Sequence, residues 1–199
     1  MTTKRVGRFV SRYSYAATAC LYLLTIGLLS ARNRGFLYRI CAQFGYQPVK
    51  TLIPQVKLSE IIPADTKIEI HEPLDADGSV SLTELAAICS LIQHHRPDRL
   101  MEIGTLDGRT TLNMAANSAP SAQVYTLDLP GQPSGACFLG KALSTKITQL
   151  YGDSTTFDFS LFYNSLDFIF LDANHTYDFV LSDSRQGMRL LRNGQGVIV

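Results

Sequence analysis

No aspartate or glutamate occurs in the first 50 residues of this 199-residue chain, which hold eight lysines and arginines, whereas residues 51–199 hold ten against seventeen acids. The formal charge of +1 is thus a head at +8 joined to a body at −7. Such asymmetry marks two regions with different surroundings. Cysteine is sparse and scattered, since Cys20, Cys41, Cys89 and Cys137 show no CxxC spacing. That argues against a disulfide framework or a zinc site and for reduced thiols in a reducing compartment. Disorder as a global reading is excluded by an apolar and aromatic content of 46%, enough to bury one good-sized core.

Charge is also missing between Arg12 and Arg32, a run of nineteen residues. As a helix it would extend roughly 28 Å, marginal for crossing a bilayer. Both flanks are basic, with Lys4, Arg5, Arg8 and Arg12 before it and Arg32, Arg34 and Arg39 after it. A single span would leave one of them on the wrong side, and LLSAR is a poor signal-peptide cleavage site. The expectation is a hydrophobic helix lying on or in the inner membrane face, so that residues 1–40 offer a membrane-surface contact in an otherwise cytoplasmic protein. A true span, or a helix buried at a subunit or domain contact, stays open beside it. A homo-oligomer is likewise left open. Polar interleaving typical of a nucleic-acid-binding arm is absent, and no nucleic acid is expected as a partner.

Residues 51–80 carry Pro54, Pro63, Pro73 and Gly78 and read as a linker or irregular lead-in between a segment 1–50 and a domain 81–199. Ser81 followed by Glu84 forms a capping box, and Leu82, Leu85, Ala86, Cys89 and Ile92 recur at helical spacing, predicting a helix to about His94. From there short apolar strands alternate with helices: RLMEIG, a helix from near Asp107, QVYTLD, a Gly- and Ser-rich connection, ITQLYGD, LDFIFLD, a helix over about 177–191, and GVIV. The predicted fold is α/β, a doubly wound, mostly parallel sheet of Rossmann-like type with helices on both faces, preceded by the N-terminal hydrophobic helix.

In such a sheet ligands sit beyond the carboxyl ends of the strands. Four successive strands here end in or next to a carboxylate, at Glu102, Asp128, Asp153 and Asp172. Any one of them could be a helix cap; all four together predict an anionic crevice. The loop Gly104 to Gly108 has the form G-x-x-x-G and lacks both the G-x-G-x-x-G of dinucleotide folds and the G-K-[ST] of phosphate loops. No basic residue in the strand-end set would neutralise a phosphate. The pattern points to a cofactor with ribose hydroxyls and a cationic part. Gly104 would admit the ligand without a Cβ, Gly108 would let the helix start close to the strand, Asp128 would accept from a ribose diol and Asp153 from an adenine amino group. Arg109 is either a contact for a cofactor carboxylate or a solvated helix-start residue.

LMEIGTLDGRTTL, VYTLDLP, LYGDS and FIFLDANHTYDFVLSDSRQGMRLLRNGQGVIV together resemble the S-adenosylmethionine-dependent methyltransferases of the Rossmann-like class, in particular the subgroup that includes small-molecule and sugar O-methyltransferases. The resemblance covers about residues 81–199. It implies S-adenosylmethionine as cofactor, with Glu102, Gly104 and Gly108 at its methionine part, Asp128 at the ribose, and Asp153 with Ser154 at the adenine; Thr105 and Leu129, beside these motifs, join the expected cofactor contacts. It further implies methylation of a small-molecule acceptor. The chain ends inside the expected fifth strand, and the resemblance therefore implies either a copy truncated at its C-terminus or part of a longer protein.

Methyl transfer from a sulfonium requires an aligned acceptor and, for a hydroxyl, removal of its proton. LDANHTY puts Asp172 and His175 after the fourth strand, where His175 is a candidate general base; the alternative is that it pins the following helix. Asp172 is a cofactor or acceptor contact, or a ligand of a divalent metal such as Mg2+. Two further readings of the chain remain: a non-catalytic or membrane-tethered cofactor-binding protein on the same scaffold, and a nicotinamide oxidoreductase.

Overall fold

The computed structural model describes residues 3–25, 27, 56–73, 78–131 and 134–199, and the chain divides into two units, Met1–Gln55 and Val56–Val199. In the first unit one helix, α1 (Thr3–Thr25), is described. Phe9, Val10, Tyr13 and Leu21 are exposed on it, and positions 10, 13 and 21 follow the i, i+3, i+11 spacing of a single stripe. Arg8 and Arg12 lie away from that stripe by helical period, so the helix is amphipathic. Ala19 and Leu23 are its buried positions. Among the described residues no helix is long and apolar enough to cross a membrane. Apart from Gly27, the rest of the uncharged run, the basic flank Arg32, Arg34 and Arg39, and Cys41 lie outside the described residues.

The second unit begins with a single helical turn, α2 (Leu58–Ile61), and continues as α3 (Leu82–His95), β1 (Arg99–Ile103), α4 (Arg109–Asn117), β2 (Gln123–Asp128), a 3-10 turn at Ala142–Lys146, β3 (Ile147–Tyr151), β4 (Phe168–Leu171), α5 (Tyr177–Leu190) and β5 (Val197–Ile198). α3 starts at the predicted capping box, with the Ser81 hydroxyl accepting from Glu84 N and the Glu84 carboxylate accepting from Ser81 N. It ends on Arg96 in the left-handed conformation, one residue before Pro97. α4 begins two residues later than expected because Gly108 adopts φ +83 and serves as its N-cap, while the Asp107 carboxylate accepts from Arg109 N at 2.9 Å.

The strands form a 5-stranded sheet in the order β3-β2-β1-β4-β5, every pairing parallel, with Leu100 opposite Val124 on one side and Phe168 on the other. Strand alternation sorts the side chains into two cores. Leu100, Val124, Phe168 and Phe170 pack under α3 and α4 with Ile88, Ile92, Met114 and Ala115. Met101, Ile103, Leu127 and Ile169 pack on the opposite face with Leu190 of α5, Phe159 and Phe162. With both faces covered, the fold is the predicted doubly wound Rossmann-like α/β sheet. Cys89 is buried between α3 and α4, and burial pushes its thiol up to about 12, which makes it an inert core residue.

Candidate active site

Chain order reverses at β1: β2 and β3 extend the sheet to one side, β4 and β5 to the other. The gap left at the carboxyl ends of β1 and β4 is where an open sheet of this kind offers a crevice. A cavity of about 900 Å3 opens there. It is lined from β1 by Glu102, Gly104 and Thr105, from β2 by Asp128 and Leu129, from β3 by Gly152, Asp153 and Ser154, and from β4 by Asp172, Asn174 and His175. Nine of the ten sequence-predicted site residues thus meet around one space. The tenth, Gly108, does not line it.

Glu102 is 1% exposed. Its carboxyl accepts from the Thr111 hydroxyl and, at 3.1 Å, from the Thr126 hydroxyl. Burial pushes its pKa from 4.5 up to about 8, against the pull of those two hydroxyls. Thr105 continues the network, its Oγ1 lying 2.6 Å from Thr126 Oγ1 and accepting from Gln149 Nε2 at 3.1 Å.

Gly104 has φ +107, and a Cβ there would fall 2.4 Å from the carbonyl oxygen of Asp172. Its glycine is thus set first by the close approach of two strand ends, not by a ligand. Gly108 has a comparable reason, a Cβ meeting the Phe138 ring at 2.6 Å. The ring belongs to the loop after β2, so that loop also requires glycine at this position.

Asp128 holds the loop itself: Oδ2 accepts from Leu106 N at 3.0 Å and Oδ1 from Leu129 N at 2.8 Å. Each oxygen keeps a second lone pair for a ligand. Asp153 accepts from the Thr155 hydroxyl at 2.7 Å and from Thr155 N at 2.8 Å, and these bonds, the hydroxyl first, hold its carboxyl below the usual range. Asp172 lies 3.5 Å from His175 Nε2, with side chains 22% and 81% exposed. Partial burial raises the Asp172 pKa, and the nearby imidazole opposes the rise.

Arg109 meets neither expectation. It is 1% exposed, and its guanidinium donates to the carbonyls of Val80 and Glu72. Among residues the motifs did not single out, Gly78, Ser79, Val80, Asp107, Thr110 and Phe179 also line the cavity. Asp183, 3% exposed on α5, lies beside Ser154, and burial raises its pKa. Its sequence signal is an acid spaced four and seven residues before the buried Gly187 and Leu190, on the core side of the helix.

Five carboxylates and no lysine or arginine stand among the described lining residues. The donor set suits a ligand bearing positive charge and hydroxyl groups. A divalent metal fits less well: Asp172 and His175 are two donors, and among the described residues no group of three or more His, Cys, Asp or Glu side chains could hold a metal ion.

Residues 101–199 match the family model described as a methyltransferase domain. Comparison with curated proteins returns no match. Solved structures similar to the chain include an O-methyltransferase of tomaymycin synthesis from Streptomyces achromogenes in complex with S-adenosylmethionine, at 18% identity and TM-score 0.47, covering 58% of this chain and 54% of that one. An O-methyltransferase from Bacillus cereus bound to S-adenosylhomocysteine is similar at 23% identity and TM-score 0.49, covering 59% and 55%. A methyltransferase from Podospora anserina bound to S-adenosylhomocysteine is similar at 22% and 0.48, covering 61% and 53%. The chain therefore spans a little over half the length of these structures.

Proposed function

We propose, from the match of residues 101–199 to the methyltransferase-domain family model, that this chain transfers a methyl group from S-adenosylmethionine to an oxygen atom of a small molecule. The observation that carries the reading is the ring of carboxylates around the 900 Å3 cavity at the sheet's switch point, with no lysine or arginine among its described lining residues. Glu102, Gly104 and Thr105 would hold the methionine part, Asp128 and Leu129 the ribose, and Asp153 with Ser154 the adenine. When bound, the cofactor supplies an electrophilic methyl group on a sulfonium.

The chain's own work is alignment and proton removal. Asp172, tied to His175 at 3.5 Å, orients the imidazole, and His175 takes the proton of the acceptor hydroxyl as attack proceeds. The exposure of His175 suits a base that meets an acceptor arriving from solvent. No step is assigned to a divalent metal. The amphipathic α1, with its exposed Phe9, Val10, Tyr13 and Leu21 and the acid-free head around it, supports attachment of residues 1–40 to the inner face of a membrane.

A coupled assay for S-adenosylhomocysteine release, run over a panel of phenols, catechols and sugars, tests the function. His175→Ala should lower kcat by about 100-fold or more on an accepted hydroxyl substrate while leaving cofactor affinity within threefold. Cofactor binding with no turnover on any hydroxyl acceptor would favour a non-catalytic role.

A further inference from the structure

Helix α4 buries three polar side chains at four-residue intervals: Arg109 at 1% exposure, Asn113 at 0% and Asn117 at 3%. Buried polar groups need partners, and these find theirs in the backbone of the segment that precedes the domain's first long helix. Asn117 accepts from Glu69 N at 2.9 Å and donates to Glu69 O at 2.7 Å. One turn back, Asn113 accepts from His71 N at 2.7 Å and donates to His71 O at 3.0 Å. Each asparagine thus binds both main-chain groups of one residue, as a neighbouring strand would. The spacing explains why this repeats: four helical residues rise about 6 Å and two residues of extended chain about 6.6 Å, so helix rungs at i and i+4 match alternate strap residues.

The third rung changes character. Pro73 has no N–H to offer, and here Arg109 donates instead to the carbonyls of Glu72 and Val80, fixing the chain on both sides of residues 74–77. Lys141, from the loop after β2, closes on Glu72 at 2.6 Å. Beyond this staple lie Gly78, Ser79 and Val80, which line the cavity.

We propose that Arg109, Asn113 and Asn117 are positioning residues for the cofactor cavity, holding the main chain at Glu69, His71, Glu72 and Val80 against α4 so that Gly78, Ser79 and Val80 form its wall. The proposal rests on the methyltransferase reading, and it assigns to three buried residues a task none of them performs by touching the ligand.

The test measures S-adenosylhomocysteine affinity, thermal stability and amide exchange in the whole chain and three variants. Asn113→Leu with Asn117→Leu should weaken binding at least tenfold and speed exchange at the Glu69 and His71 amides. Ile92→Ala, in the core under α3 and outside the ladder, should lower the melting temperature while leaving affinity within twofold. Gly78→Ala, which forces a side chain onto φ +87 without entering the core, should weaken binding with little change in melting temperature, and it carries the test if the double variant does not fold. If the ladder variant behaves as Ile92→Ala does, or Gly78→Ala binds as tightly as the wild type, the positioning role is overturned. Wild-type protein that binds no cofactor would instead overturn the underlying reading, which the first titration shows before any variant is compared.

Discussion

Glu102 illustrates how one residue's surroundings decide its chemistry. Glu102 is buried, two threonine hydroxyls partly replace water at its carboxyl, and the pKa rises from 4.5 to about 8. The folded protein therefore binds a proton that the unfolded chain has released between those values. Stability from this site is fully present below pH 4.5 and is lost as pH rises through about 8. Melting temperatures followed across that window should fall in the wild type and fall less in Glu102→Gln, which keeps the shape and cannot ionise; parallel slopes would show that Glu102 does not titrate in the window. A cation bound in the cavity favours the ionised form, so cofactor binding near pH 7 should release protons.

At the scale of elements, the parts that were legible in the sequence are those set by local chemistry. Ser81 and Glu84 announced the start of α3, and both reciprocal bonds form. Ser81→Ala should cost about 1 kcal/mol in urea denaturation with an unchanged m-value; a loss below a few tenths would mean the helix start is held by packing alone. Strand positions were legible because buried parallel strands read as apolar runs, and their acidic ends marked the crevice. What could not be read is what depends on distant neighbours. Gly104 is glycine because Asp172 of another strand occupies its side-chain space. Arg109 stands where a solvent or ligand contact is the natural reading, yet it is buried under the strap. Asn113 and Asn117 look like ordinary helix-surface residues until the backbone they clamp, 42 and 48 residues away, is in place. Asp183 hides in the same way, its partners lying on the turn after β3.

At the scale of the whole molecule, charge asymmetry separates a basic head from an acidic domain. Attachment of α1 to an anionic surface should combine its apolar stripe with Coulomb attraction, which salt screens. Co-sedimentation with vesicles rich in anionic lipid should be strong at low salt and reduced severalfold by Phe9→Glu with Tyr13→Glu. Equal sedimentation with neutral vesicles, or none with either, would remove the membrane contact. The acidic domain carries the other half of the account, carboxylates gathered at the switch point of a doubly wound sheet as the seat of a cationic cofactor. Calorimetric titration of S-adenosylmethionine into the whole chain and into Asp128→Ala tests it most directly. One saturable site is predicted, weakened at least about tenfold when Asp128, the proposed ribose acceptor, is removed; no binding by the wild type, or equal affinity in both proteins, would contradict it.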